Sequence, residues 1–134
     1  MAELYGAIIE RVKPVHIDKR GYITDILNQD LKHVGIVGSE VGAIRGNHYH
    51  KTSIQYTYVL SGKFEVLLAK AESPEEVKRV VLGAGQLITI PPFIIHRFSA
   101  LEKSVFIEMD SKSRSGNRFE EDVIRVPIQK NDNT

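Results

Sequence analysis

Apolar residues fall in short runs separated by turn residues at fairly even spacing. Ala7–Val12, Tyr22–Leu27, His33–Val37, Tyr56–Leu60, Phe64–Leu68, Val80–Leu82, Leu87–Ile90, Ile94–Ala100 and Val105–Met109 are rich in Val, Ile, Tyr and Phe, with Gly or Pro in the gaps. That pattern predicts β-strands. One helical signal interrupts them. Ser73-Pro74-Glu75-Glu76 offers an N-cap serine, a proline at the first helical position and a glutamate three residues after the cap, which predicts one or two turns between Leu68 and Val80. Strands without amphipathic helices between them build sandwiches and barrels. The expectation is therefore an all-β barrel or jelly roll with less than about a fifth helix.

Alternation adds a prediction about packing. If Gln55, Thr57 and Val59 face inward, Tyr56, Tyr58 and Leu60 form an outer stripe too apolar to leave in water. Either the N-terminal strand Ala7–Val12 or a second subunit, in a homodimer, is expected to cover it.

Composition narrows the class. The 134 residues suit one domain, 1–128, with a polar tail over 129–134. Eighteen basic and seventeen acidic residues leave a net charge of +1, which points away from nucleic acid and membrane surfaces. There is no cysteine, so disulfides, thiolate metal sites and cysteine nucleophiles are excluded. The start, MAELYGAIIERVK, lacks the basic stretch and apolar centre of a signal peptide. No apolar run approaches the roughly 20 residues of a membrane span. A cytoplasmic protein is expected.

The chemistry concentrates in Arg45-Gly46-Asn47-His48-Tyr49-His50. Two residues apart on a strand, His48 and His50 point to one face. After a turn near Lys51–Ile54 a second strand begins, where Gln55 can face the same interior, and Gly62 is expected to start a tight hairpin into Lys63–Leu68. His96 lies far along the chain, after Pro91-Pro92, where a paired strand could bring it to the same point. Gln55 serves either as a ligand or as a hydrogen-bonding residue. His16 and His33 are solitary and are assigned to the surface or rim.

These residues resemble the cupin motifs. Gly42, His48, His50, Gln55 and Gly62 match G-x5-H-x-H-x(3,4)-E-x6-G, with Gln55 in place of the glutamate. Gly85, Pro91 and His96 match G-x5-P-x-G-x2-H-x3-N, with Phe93 and Ala100 in place of the glycine and asparagine. The resemblance implies a β-barrel in which His48, His50, Gln55 and His96 hold a divalent metal such as zinc, manganese, nickel or iron, with no organic cofactor. A glutamine leaves such a donor set neutral and the ion with its full charge, which weakens metal binding and strengthens attraction for an anionic substrate.

Asp18-Lys19-Arg20-Gly21 and the RGNHYH string resemble the sugar-nucleotide branch of the cupins: dTDP-4-dehydrorhamnose 3,5-epimerases, dTDP-4-keto-sugar 3,4-ketoisomerases and the cupin domain of capsular-polysaccharide enzymes that epimerise a UDP-4-keto sugar. That resemblance implies a nucleotide-sugar substrate and enolisation beside a C4 ketone. His48 is the base by correspondence, His50 the alternative and His96 a partner. Arg45 is a candidate diphosphate or enolate contact, but alternation places it opposite His48 unless a bulge at Gly46 re-aims it. Tyr22 is a candidate for the acid and for substrate binding, or else packs in the core. The rival functions are a metal-dependent cupin dioxygenase or hydrolase and a non-catalytic sugar-binding cupin.

Overall fold

The computed structural model describes residues 1–131 and 134. Thirteen strands and one short helix follow in the order β1 (Ala2–Leu4), β2 (Ala7–Arg11), β3 (His16–Asp18), β4 (Gly21–Ile23), β5 (His33–Ser39), β6 (Ile44–His50), β7 (Gln55–Ser61), β8 (Lys63–Lys70), β9 (Lys78–Gly83), β10 (Gln86–Ile90), β11 (Ile94–Ala100), β12 (Ser104–Asp110), α1 (Arg118–Asp122) and β13 (Val123–Arg125). Strands hold 54% of the residues and helix 4%, as the run of short apolar segments predicts. No helix among the described residues is long and apolar enough to cross a membrane.

A six-stranded sheet, β1-β2-β10-β7-β12-β5, faces a five-stranded sheet, β13-β6-β11-β8-β9, and β3-β4 form a separate hairpin. Every pairing is antiparallel. Alternating residues of the two inner faces fill the space between them. Phe64, Val66 and Leu68 from β8 meet Val59, Ile88 and Phe106 from the opposite sheet. The rings of Phe64, Phe98 and Phe106 lie 5.2–6.1 Å apart between centroids, near the edge-to-face spacing aromatic pairs prefer. This plug closes one end of the barrel and leaves the other for polar groups. On the outer face of the smaller sheet, Leu67, Ala69 and Ile95 are covered by Ile128 and Val126.

Four local expectations are corrected. The strand expected over Tyr22–Leu27 stops at Ile23, because Ile26 and Leu27, with Leu31, fold over Tyr56, Leu87 and Met109 instead. That segment covers the outer face at Tyr56, and of the expected Ala7–Val12 cover only Val12 joins it, since β2 lies within the sheet and sends Ala7 and Ile9 into the core. No helix forms after Ser73: Ser73–Glu76 closes as a single β-turn, with the Glu76 N–H on the Ser73 carbonyl at 3.0 Å. Lys78 already pairs with Leu68, so the loop has no room for more. Gly62 is a corner between sheets and starts no hairpin: β7 pairs with β10 and β12, β8 with β9 and β11. At φ +87° a Cβ there would lie 2.0 Å from Ser104 Oγ, the oxygen that accepts from the Lys63 N–H.

The rest of the outer face stays apolar and open. Ile36, Ile107 and Tyr58 lie in one cross-strand row, and Ile36, Val34 and Leu60 are 76%, 61% and 53% exposed. Of the polar tail, Lys130 reaches Glu65 at 3.1 Å, while Asp132 and Asn133 lie outside the described residues.

Candidate active site

A bulge in β6 assembles the site. His96 of β11 pairs with His48, but Arg97 pairs with Gly46, so Asn47 is an extra residue between them. Gly46 at φ +87° and Asn47 at φ +60° take the left-handed turn this needs. Only glycine fits, because a Cβ on Gly46 would lie 2.6 Å from the His96 carbonyl oxygen. The bulge turns Arg45 to the same side as His48, and both line one cavity of about 170 Å³ with Gln55 and His96. Phe98 and Phe106 also line it, as do Phe119, Glu108 and Arg114. Arg45 is held in place by Ser39 Oγ at 3.2 Å and the Gly38 carbonyl at 2.8 Å.

The three imidazoles converge. Ring centroids lie 4.8 Å apart for His48–His96, 5.2 Å for His48–His50 and 5.6 Å for His50–His96. His50 and His96 stack almost parallel, 11° apart, and His48 stands edge-on to both. His96 donates Nδ1–H to the Ile94 carbonyl at 3.0 Å, which leaves Nε2 as a buried lone pair with no partner. His50, 3% exposed, donates Nδ1–H to Asp122 Oδ2 at 2.8 Å. Asp122 is itself fixed by the Thr52 N–H and hydroxyl, each at 2.7 Å. Burial pushes the His48 imidazole down to about 4, helped by His50, Arg114 and Arg125, and pushes His96 well down too. His48 and His96, which line the cavity, are thus neutral at neutral pH.

Gln55 faces them from β7. Its amide donates to Thr57 Oγ1 at 2.9 Å, so its oxygen points at His50 Nε2, 3.1 Å away. With Asp122 holding the proton on Nδ1, two lone pairs face each other. A cation between them, a proton on Nε2 or the reversed amide resolves this. One ligand atom from each of His48, His50 and His96 lies within 4.8 Å of the others. The orphaned His96 Nε2 and the carboxylate behind His50 fit what a divalent metal asks of its ligands and their supports.

The opposite wall carries groups that the sequence reading missed. Glu108 and Asp110 project inward from β12, 4% and 1% exposed. Arg114 donates to Glu108 Oε1 at 2.7 Å, and His33 Nδ1 lies 2.9 Å from Asp110 Oδ2. Burial first, then the hydrogen bond and charge of Asp110, push Glu108 up to about 9 against the pull of Arg114. One proton therefore stays on the pair at neutrality. Arg114 also stacks on Phe119, 4.4 Å from the ring centroid, and Phe119 sits about 6 Å from both His48 and His50. A glutamate beside Phe106 in the run Val105–Met109, with an aspartate two residues on, is the signal that finds the pair. Phe119 and Asp122 had none, since nothing in Arg118–Asp122 reads as an amphipathic helix.

Tyr22 is not brought to this cavity. It stands on the β3-β4 hairpin, 72% exposed, so it does not pack in the core either. The same hairpin carries His16, whose Nε2 lies 2.9 Å from Asp18, and Arg20, which pairs with Asp18 and holds it down at about 2. His33 is less solitary than expected, being part of the Asp110 cluster. Lys51, Lys112 and Arg118 line a separate, wider cleft to which Asp122, the carboxylate behind His50, also belongs.

No curated protein sequence matches the chain, but solved structures and one family model do. A double mutant of the 3,4-ketoisomerase QdtA from Thermoanaerobacterium thermosaccharolyticum, in complex with TDP, is 27% identical over 92% of this chain and 89% of that one, with a TM-score of 0.74. The dTDP-4-dehydrorhamnose 3,5-epimerase from Sulfolobus tokodaii is 22% identical, over 88% and 77%, with a TM-score of 0.71. ChmJ, a 3'-monoepimerase from Streptomyces bikiniensis in complex with dTDP-quinovose, shares the fold at 15% identity, over 98% and 83%, with a TM-score of 0.77. The bulged histidine strand and the facing sheets are thus a cupin of the sugar-nucleotide branch. Residues 16–114 match the polysaccharide biosynthesis C-terminal domain, which leaves Phe119 and Asp122 outside the shared segment, and the chain belongs to that family.

Proposed function

We propose that this protein isomerises or epimerises a nucleotide-linked 4-keto hexose by imidazole-assisted enolisation. The observation that carries it is the Asp122–His50 pair, stacked on His96 beside the cavity that His48 and His96 line. The likeness to a 3,4-ketoisomerase crystallised with TDP supports the substrate class. At about 170 Å³ the cavity is smaller than the roughly 300–1,000 Å³ of ligand pockets in general, so it holds the sugar and leaves the nucleotide outside. Arg45 in the cavity wall, and Lys51, Lys112 and Arg118 in the separate cleft at Asp122, are the cations that suit a diphosphate.

A ketone at C4 acidifies the neighbouring C–H. His50 takes that proton on Nε2: its Nδ1–H is committed to Asp122, and the carboxylate stabilises the imidazolium that forms. Burial and the cations around His48 lower its proton affinity, which disfavours it as the base. His48 shapes the cavity beside the reacting carbon. Arg45 lies where it can meet an enolate oxygen or the phosphate.

A second reading is favoured by the lone pairs facing each other at His50 and Gln55. In that reading His48, His50 and His96, with Gln55 as a fourth donor, would hold a divalent ion, which would supply Lewis-acid polarisation of the ketone. The exposed row of Ile36, Val34 and Leu60 supports a homodimer as the working assembly.

The test is incubation with dTDP- and UDP-linked 4-keto hexoses in deuterium oxide, followed by mass analysis. Deuterium at the carbons flanking the ketone, above the enzyme-free rate, is expected. No exchange with either nucleotide rejects the reading and leaves a binding module or an oxygenase.

A further inference from the structure

We propose that Glu108 is the second acid–base group of the site, returning a proton to the sugar carbon on the face opposite the imidazoles, so that the reaction inverts that carbon. The inference rests on the enolisation reading above.

The two sheets divide the groups. His48 and His50 come from β6 and His96 from β11, in the five-stranded sheet; Glu108 comes from β12, in the six-stranded one. All but the more enclosed His50 line the same cavity as Glu108. A ring held between the sheets has imidazoles on one face and this carboxyl on the other. No tyrosine lines the cavity among the described residues, and Glu108 is the one carboxyl that does. Arg45 and Arg114 keep their protons in proteins and cannot serve as acids.

The surroundings of Glu108 suit a proton donor that must recover. Asp110 stands beside it on the same face of β12, and one guanidinium, that of Arg114, serves both carboxyls, 2.7 Å from Glu108 and 3.0 Å from Asp110. Two carboxyls against one fixed cation retain a proton between them, and Arg114 stabilises the carboxylate left after donation. Asp110 Oδ1 has no partner, so the pair has acceptor capacity to spare. His33, with a quarter of its side chain exposed, contacts Asp110 from the solvent side and completes a route for reprotonation.

The step balances as follows. An imidazole takes the proton from the carbon beside the C4 ketone; the C–H pair becomes a C=C bond and the carbonyl π pair moves onto oxygen. The Glu108 O–H bond then breaks, its proton bonds to the same carbon from the other face, and the C=O bond re-forms. The imidazolium loses its proton to solvent and the Glu108 carboxylate regains one through Asp110 and His33.

The experiment compares wild type, Glu108→Gln and Glu108→Asp on TDP-4-keto-6-deoxyglucose and its UDP counterpart in deuterium oxide. Deuterium in recovered substrate and in inverted product are followed separately. Wild type is expected to give deuterated, inverted product. Glu108→Gln should still place deuterium in recovered substrate, while inverted product forms at least about 10²-fold more slowly. Glu108→Asp keeps an acid on a shorter arm and should restore part of the inversion; it also serves if the glutamine variant does not fold. Inverted product at the wild-type rate from Glu108→Gln overturns the proposal. So does a wild type that moves the ketone without inverting any carbon. Absence of deuterium from all wild-type material is a different failure: it removes the enolisation reading itself, and this proposal with it.

Discussion

Gly46 and Gly42 offer a matched pair of substitutions that measures the bulge directly. Both sit at φ +87°, so alanine pays the same left-handed backbone cost at each, about 1–2 kcal/mol. They differ in what a Cβ meets. At Gly42 nothing lies within 4 Å; at Gly46 the His96 carbonyl oxygen is 2.6 Å away, and it belongs to backbone paired on both sides. Relieving that contact forces β6 and β11 apart by a fraction of an ångström, an overpacking cost of about 1–3 kcal/mol. Gly42→Ala should therefore lose about 1–2 kcal/mol and Gly46→Ala about 2–5 kcal/mol. Against a typical domain stability of about 5–15 kcal/mol the second is a severe loss. Urea denaturation gives both numbers from the midpoint shift at constant slope. The functional readout separates further: Gly42→Ala should keep deuterium exchange into the substrate, and Gly46→Ala should lose it, because the bulge sets the His48–His96 pairing and aims Arg45. Equal destabilisation by the two alanines would refute the reasoning, since the close approach would then cost nothing.

Three further outcomes follow from the site. His48 titrates near 4 in the fold and about 6.5 unfolded, so the unfolded chain binds more protons between those values and stability falls as pH drops through them. After allowance for partial exposure this is on the order of 2 kcal/mol, and His48→Gln should remove it; a wild-type minus variant difference that is flat from pH 7 to pH 4 contradicts the buried neutral imidazole. The second reading alone requires that metal analysis after dialysis against zinc or manganese find one ion per chain, lost in His96→Ala and held more tightly in Gln55→Glu; no uptake, with exchange indifferent to chelator, rejects that ligand set and leaves the metal-free imidazole chemistry. Sedimentation at micromolar concentration should show a dimer that Ile36→Asp dissociates, and a wild type that is wholly monomeric rejects coverage of that face by a second copy.

Much of this was legible in the sequence because local rules govern it. Strand periodicity gave the barrel, and the spacing of His48, His50 and Gln55 placed them toward one interior. The conditional reading of Arg45 was decided by Gly46, a residue whose need for positive φ is visible only once His96 is opposite it. What escaped reading is what long-range contact decides. Ile26 and Leu27 look like strand residues and serve instead as a cover for Tyr56. Ser73–Glu76 carries a helix signal that the pairing of Lys78 with Leu68 overrides. Glu108 looks like an ordinary charge in an apolar strand until Asp110 and Arg114 are seen around it. Asp122 reaches His50 from 72 residues away, beyond any local pattern.

The central claim is that a carboxylate-backed imidazole removes a proton beside a sugar ketone. The most direct measurement is the rate of deuterium gain at the carbons flanking C4 of TDP-4-keto-6-deoxyglucose, with wild type, His50→Ala and His48→Ala compared side by side. The account predicts exchange by wild type, a loss of about 10²–10⁴-fold in His50→Ala and a smaller loss in His48→Ala. Exchange by His50→Ala at the wild-type rate would contradict it.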